Sequence, residues 1–172
     1  EQGALRSTGR AFDLAIKGDG FFTVQTPDGP AYTRNGHFQL NESGELVTRE
    51  GYKVKGVDGN ISFSRKPDIN ERGEVLLEDK MVGELDIRYM KDTAGLHKIG
   101  ASLFRAGGQD TYKADKSRFS IRQGFLEESN VHPLKEMVDM LTVFRQYESS
   151  QKAVQTQDGI LGRIANDIGR VQ

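Results

Sequence analysis

Apolar positions in the first part of the chain come in short bursts broken by Gly, Asn and Asp. Asp13-Leu14-Ala15-Ile16 stops at Gly18-Asp19-Gly20, and Phe21-Phe22-Thr23-Val24-Gln25 follows with aromatic and β-branched residues that suit a strand. Pro27-Asp28-Gly29 supplies a turn and Ala31-Tyr32-Thr33-Arg34 a further strand. Asn35-Gly36 is the two-residue signal for a hairpin into His37-Phe38-Gln39-Leu40, which alternates with period two. After a turn at Asn41-Glu42-Ser43-Gly44, Glu45-Leu46-Val47-Thr48 and Tyr52-Lys53-Val54-Lys55 read as strands around Glu50-Gly51. Asp58-Gly59-Asn60 closes the series before Ile61-Ser62-Phe63. Turn signals recur about every eight to twelve residues, the rhythm of an all-β sandwich or barrel.

Residues 65–123 are less periodic. Glu74-Val75-Leu76-Leu77 reads as a strand. So does the run from Gly83 to Tyr89, with Leu85, Ile87 and Tyr89 on one face and Glu84, Asp86 and Arg88 on the other. Thr93-Ala94-Gly95-Leu96 reads as a loop or a single helical turn, and Arg118-Phe119-Ser120-Ile121-Arg122 as a last strand.

The period then changes. Asn130 is placed to cap a helix with Pro133 in its first turn. Beyond Pro133 there is no further proline, and apolar residues recur at Leu134, Met137, Val138, Leu141, Phe144, Tyr147, Val154, Leu161, Ile164, Ile168 and Val171. Steps of three, four and seven predict one long helix with a narrow stripe. About 38 residues at 1.5 Å each give roughly 57 Å, more than the expected diameter of the β-domain. The first half is expected to fold back on that domain. The second half keeps an apolar line with nothing in the chain to cover it, and Gly159, Gly162 and Gly169 weaken it by up to about 1 kcal/mol each. Leaving such a stripe in water forgoes several kcal/mol, so it calls for another helix, from a further segment or from other subunits. The fold class is therefore mainly β. A hairpin-rich domain over residues 1–123 leads through a connecting segment, 124–132, to a C-terminal helix over 133–172.

Composition narrows the function classes. The 172 residues include 20 Gly and 4 Pro, which favours many tight turns. Lys and Arg total 24 against 25 Asp and Glu, a net charge of −1 without a basic run, so a nucleic-acid partner is not expected. With 0 Cys there is no thiol chemistry, disulfide or Cys-based metal site. No apolar run reaches the roughly 20 residues of a membrane helix, so membrane insertion is not expected. Residues 1–6 lack the apolar core of a signal peptide, and the missing initiator Met is what a piece or processed form of a longer chain would show.

No constellation points to catalysis. His37, His97 and His132 are scattered without metal-site spacing, Gly18-Asp19-Gly20 precedes a strand rather than a helix, and Asp58-Gly59-Asn60 lacks further calcium ligands. No catalytic residue, metal site or cofactor is expected. The aromatics Phe12, Phe21, Phe22, Tyr32, Phe38, Tyr52 and Phe63 are expected in the core. On an exposed face they would instead make a stacking platform, the basis of an alternative reading as a cell-wall polysaccharide-binding β-module with a helical tail.

Three stretches resemble the rod, hook and basal-body protein family of the bacterial flagellum. The first runs from Gln2-Gly3-Ala4-Leu5 through Thr8-Gly9-Arg10-Ala11-Phe12-Asp13-Leu14-Ala15-Ile16-Lys17-Gly18-Asp19-Gly20-Phe21-Phe22. The second is Tyr32-Thr33-Arg34-Asn35-Gly36-His37-Phe38, continuing to Gly44-Glu45-Leu46-Val47-Thr48-Arg49-Glu50-Gly51-Tyr52. The third is Gln123-Gly124-Phe125-Leu126-Glu127-Glu128-Ser129-Asn130-Val131 followed by Glu136-Met137-Val138. All three occur in order and with the family's spacing, while residues 65–122 match more loosely.

The resemblance implies a structural subunit, not an enzyme. Subunits of this family pass unfolded through the flagellar export apparatus and assemble helically into the hollow shaft of the basal body, which spans the periplasm or cell wall. It implies partners that are copies of the chain and other rod or hook proteins, within peptidoglycan surroundings. It also implies a helix preceding residue 1 that pairs with the C-terminal helix in an inner tube. Leu141, Phe144, Tyr147, Val154, Leu161, Ile164, Ile168 and Val171 would be the assembly residues. Thr8, Gly9, Asp13, Gly18, Gly20, Phe21, Tyr32, Thr33, Arg34, Gly36, Gly124, Leu126, Glu127, Ser129, Asn130 and Val131 would be structural. Residues 124–131 would set the angle between domain and helix, with Gly124 permitting the bend. Proximal rod, distal rod and Gram-positive rod homologue stay open.

Overall fold

The computed structural model describes residues 2–63, 65–92, 95–108, 111–130 and 133–168, and for helix residues 133–136, 153 and 158–168 it describes the backbone alone. The chain divides into two compact units, residues 1–130 and 131–172. The first is a set of short strands. They are β1 (Leu5–Ser7), β2 (Leu14–Gly18), β3 (Phe21–Thr26), β4 (Gly29–Thr33), β5 (Gln39–Leu40), β6 (Leu46–Val47), β7 (Lys53–Gly56), β8 (Gly59–Asn60) and β9 (Asp68–Ile69). Then come β10 (Glu74–Leu77), β11 (Lys80–Glu84), β12 (Ile87–Tyr89), β13 (Leu96–Gly100), β14 (Leu103–Ala106), β15 (Tyr112–Lys113), β16 (Phe119–Gln123) and β17 (Phe125–Glu127).

Every pairing between named strands is antiparallel. A 10-stranded sheet runs β13-β14-β4-β3-β7-β6-β5, with β12, β15 and β8 attached at its flanks, and does not close into a barrel. A three-stranded sheet, β11-β10-β9, and two ribbons, β2-β16 and β1-β17, complete the unit. The core lies between these layers. Leu14, Ile16, Phe22, Val24, Phe38, Leu46, Val54, Val75, Leu85, Ile87 and Ile121 are buried in it, and the Phe22 and Phe38 rings meet edge to face at 5.1 Å.

Two expectations fail here for physical reasons. Asn35-Gly36 does not turn a hairpin: β4 pairs with β3 and β14, and β5 pairs with β6. Gly36 is absent from the positive-φ glycines, whereas the two-residue hairpin turn needs φ above zero there. The chain instead crosses β2. Leu14 N–H donates to Gly36 O at 3.0 Å, Phe38 N–H donates to Phe12 O at 3.2 Å, and Asp13 bridges His37. The run from Gly83 to Tyr89 is not one strand either. β11 belongs to the three-stranded sheet and β12 to the ten-stranded one, and the chain changes sheets at Leu85 and Asp86, which are both buried. Asp86 is accommodated because its backbone bonds to Thr23 and Lys55 and its carboxylate accepts from Arg88 Nε at 2.8 Å.

The second unit is one α-helix, α1, Pro133–Ile168. Its 36 residues make a rod of about 54 Å. Thr142, Ser150 and Thr156 donate their hydroxyls to carbonyls four residues back, so these polar positions are satisfied within the helix.

Candidate assembly face and the Arg34 node

Described by itself, α1 exposes Met137, Val138, Met140, Leu141, Val143, Phe144, Tyr147 and Val154, each more than half accessible. At 100° per residue all of these except Val138 fall within an arc of about 160°. Leu141, Phe144, Tyr147 and Val154 lie in that arc, whereas Val138 of the expected stripe lies outside it. Met140 and Val143 were missed: heptad steps select a narrow seam, and these two widen it into a face. Leu161, Ile164 and Ile168 are on the helix, but their side chains lie outside the described residues, as does Val171 altogether.

The β-unit brings the separated motif residues together. Arg34, at the end of β4, donates from Nη1 to the carbonyls of Gly18 at 2.9 Å and Gly20 at 2.8 Å, and from Nη2 to Ile16 O at 3.1 Å. Its Nε donates to Glu127 Oε2 at 3.0 Å, and its guanidinium lies 5.9 Å from the centre of the Phe21 ring. Glu127 uses its other oxygen to accept from Gly3 N–H at 3.1 Å. Gln2 closes the arrangement, donating to Ile16 O and accepting from Gly18 N–H. Ion pair, cation–π contact and carbonyl bonds thus satisfy one side chain at once, using the forked geometry that only arginine has.

A second junction lies at Gly124, whose φ of 80° is open to glycine at little cost. Its carbonyl accepts from Thr8 N–H at 2.7 Å and Gly9 N–H at 3.2 Å, and its N–H donates to Asp13 O at 2.7 Å. Asp13 Oδ1 lies 2.9 Å from His37 Nδ1. Thr33 Oγ1 donates to Ser102 O at 2.9 Å, Tyr32 OH bonds to Thr111 at 3.3 Å, and Leu126 stands opposite Arg6 in the β1-β17 ladder. Within the expected connecting segment, residues 125–127 are thus a strand of the β-unit. Ser129 and Asn130 follow it, Asn130 stands three positions ahead of Pro133, and Val131 lies outside the described residues. Gln123 was missed as an organising residue. Its side chain accepts from Ile69 N–H and donates to Ala11 O and Pro67 O, a role that its place at the head of the third motif stretch does not by itself reveal.

Most of the clustered aromatics are in the core, as expected, and not on an exposed face. Phe22, Tyr32, Phe38 and Phe63 are buried, and Phe12 and Tyr52 pack against the core. Among the described residues no group of three His, Asp or Glu is placed to hold a metal ion, and no helix is long and apolar enough to cross a membrane.

Comparison with known proteins agrees with this arrangement. Residues 15–77 match the flagellar hook protein FlgE/F/G D1 domain, and residues 122–168 match the flagellar basal body rod FlgEFG protein C-terminal family. The chain is 38% identical over 184 residues to the flagellar basal-body rod protein FlgG of Borreliella burgdorferi, covering 99% of this chain and 69% of that protein. It is 36% identical over 182 residues to FlgG of Bacillus subtilis, covering 95% and 67%. To FlgF of Rhizobium meliloti it is 33% identical over 177 residues, covering 97% and 71%. The chain belongs to the flagellar basal-body rod protein family.

Proposed function

We propose that the chain is a structural subunit of the flagellar basal-body rod, without catalytic activity, that assembles helically with copies of itself and with other rod or hook proteins. The assembled shaft carries torque from motor to hook. An open helical polymer needs two different patches on each subunit, one binding the other on the next copy. The apolar face of α1 is one such patch, and Leu161, Ile164, Ile168 and Val171 are the further assembly residues that the sequence offers beyond it. The β-unit, held by the Arg34 and Gly124 junctions, forms the stiff outer part. Thr8, Gly9, Asp13, Gly18, Gly20 and Glu127 serve that stiffness and not a reaction. Delivery by the flagellar export apparatus and a place in the basal body, surrounded by peptidoglycan, complete this reading.

The observation that carries it is a wide apolar face on a helix, exposed from Met137 to Val154, in a chain of this family. The test is Leu161→Asp together with Ile164→Asp in the full-length protein, expressed in cells lacking it. Export and folding of the β-unit are retained while rod assembly and motility are lost. Motile cells carrying the double variant would contradict assembly through α1.

A further inference from the structure

The chain enters and leaves the β-unit side by side. β1 and β17 pair antiparallel, with Leu5 opposite Glu127 and Ser7 opposite Phe125, and Glu128 N–H extends the ladder by donating to Ala4 O at 2.8 Å. This ribbon shares no strand with the other sheets. A two-stranded ribbon is marginal in water by itself, and none of its six residues is fully buried. Hydrophobic burial therefore does little to hold it in place.

Specific polar contacts hold it instead, and they converge. Gln2, at the entry, reaches the backbone of Ile16 and Gly18. Glu127, at the exit, receives Gly3 N–H from the entry strand and Arg34 Nε from the body. Arg34 then spans from Glu127 to the carbonyls of Ile16, Gly18 and Gly20, so one guanidinium touches both the ribbon and the β2-β3 turn. With side chains only 23% and 15% accessible, Arg34 and Glu127 are shielded enough for the pair to outweigh an ordinary surface ion pair.

We infer that Arg34 is a positioning residue that locks the β1-β17 ribbon to the body, so that residues 2–7 and 125–128 open as one unit when its guanidinium is removed. Both chain ends then leave the β-unit from a fixed place only while Arg34 is seated. Charge alone does not suffice. Three of its four bonds go to carbonyls spread across a turn, which a planar fork reaches and a single ammonium does not. The inference stands independently of the rod reading, because it concerns local opening of one protein chain.

Residue-resolved amide hydrogen exchange on the full chain tests it, comparing the wild type with Arg34→Gln, Arg34→Lys and Glu127→Gln. The amides of Gly3, Gly18 and Glu128 exchange roughly tenfold or more faster in both Arg34 variants, as expected for a local opening of lowered free energy. The amides of Thr48 and Val57, bonded within the β-unit away from the ribbon, keep their rates. Glu127→Gln keeps an acceptor oxygen for Arg34 but turns an amide donor toward Gly3 N–H, so Gly3 loses its acceptor directly while Gly18 and Glu128 accelerate by less than in the Arg34 variants; it serves if those variants fold poorly. Unchanged exchange at Gly3 and Glu128 would overturn the inference. So would equal acceleration at all five amides, which would make Arg34 a general stabiliser, and so would full protection in Arg34→Lys.

Discussion

His37 Nδ1 lies 2.9 Å from Oδ1 of Asp13, and the two residues differ sharply in their access to water: the Asp13 side chain is 1% exposed and that of His37 36%. Among the described residues Oδ2 of Asp13 has no hydrogen-bond partner, and the nearest cation, Arg10 Nε, stands off at 4.0 Å. A buried carboxyl that loses its partner has nothing to replace it, whereas water can reach the imidazole. His37→Ala is therefore the costlier change, at about 2–3 kcal/mol, against about 1 kcal/mol for Asp13→Ala. Adding Asp13→Ala to His37→Ala recovers part of the loss, so the pair is strongly non-additive in urea unfolding. Equal single costs that simply add would refute this account of the pair.

Gly36 is required for close approach. A Cβ there would stand 1.6 Å from Leu14 O, on a backbone segment with no freedom to retreat because Leu14 is in the core. Gly36→Ala costs about 3–5 kcal/mol, in the range reserved for changes that break the packed backbone. Thermal unfolding of the variant measures it, and a loss below about 1 kcal/mol would show that the crossing of β2 is loosely held.

The β13-β14 hairpin turns on Ala101 and Ser102 with φ of 46° and 60°, a left-handed pair that non-glycine residues adopt at a cost. Replacing them by Asn-Gly keeps the turn and relieves that cost. The double variant gains about 0.5–1 kcal/mol in denaturant midpoint analysis without loss of the β-unit's circular dichroism. Destabilisation would mean the two side chains contribute more than their backbone conformation costs.

Lys116 donates to Glu74 and Glu84, both at 3.1 Å, tying the three-stranded sheet to the segment before β16. The side chain of Asn70 and then Lys116 hold Glu74 below its ordinary value of 4.5. For Glu84, burial pushes upward, but Lys116 and Lys113 outweigh it and the net direction is down. Lys116 is raised from 10.5 by the same two carboxylates. A carboxyl with a lowered folded pKa adds stability above its unfolded value and loses it as pH falls through the folded one. A raised lysine adds stability below 10.5 and loses it as pH climbs through its folded value. The gap in urea midpoint between wild type and Lys116→Ala is thus widest near neutrality. It narrows from about pH 4.5 downward and again in strong alkali, and high salt reduces it throughout. A gap unchanged down to about pH 2 would sink this assignment.

Much of this fold is legible in the sequence, and the exceptions have identifiable causes. The turns at Gly44, Gly51 and Gly59 are readable because each needs a left-handed backbone that glycine supplies. Asn35-Gly36 misleads because the same dipeptide serves a close backbone approach, which only the tertiary position of Leu14 reveals. The β10-β11 and β13-β14 hairpins escape notice because Glu78-Asp79 and Ala101-Ser102 take left-handed φ without any Gly. The break at Leu85-Asp86 hides in a clean alternation, since a chain changing sheets keeps its period. The exposed apolar stripe of α1 is readable at Leu141, Phe144, Tyr147 and Val154 but too narrow, lacking Met140 and Val143. The Arg34 node is the instructive case. Each motif is visible alone, but that Arg34 binds Glu127, 93 positions away, is knowable only from the fold.

The central claim is that this chain is a building part of the rod. The most direct measurement is quantitative mass spectrometry and immunogold labelling of purified hook-basal bodies from the organism that encodes it. The account predicts the chain in those particles in several copies each, with label confined to the shaft between motor and hook. Its absence from intact particles, or label on the cell wall away from them, would contradict the claim.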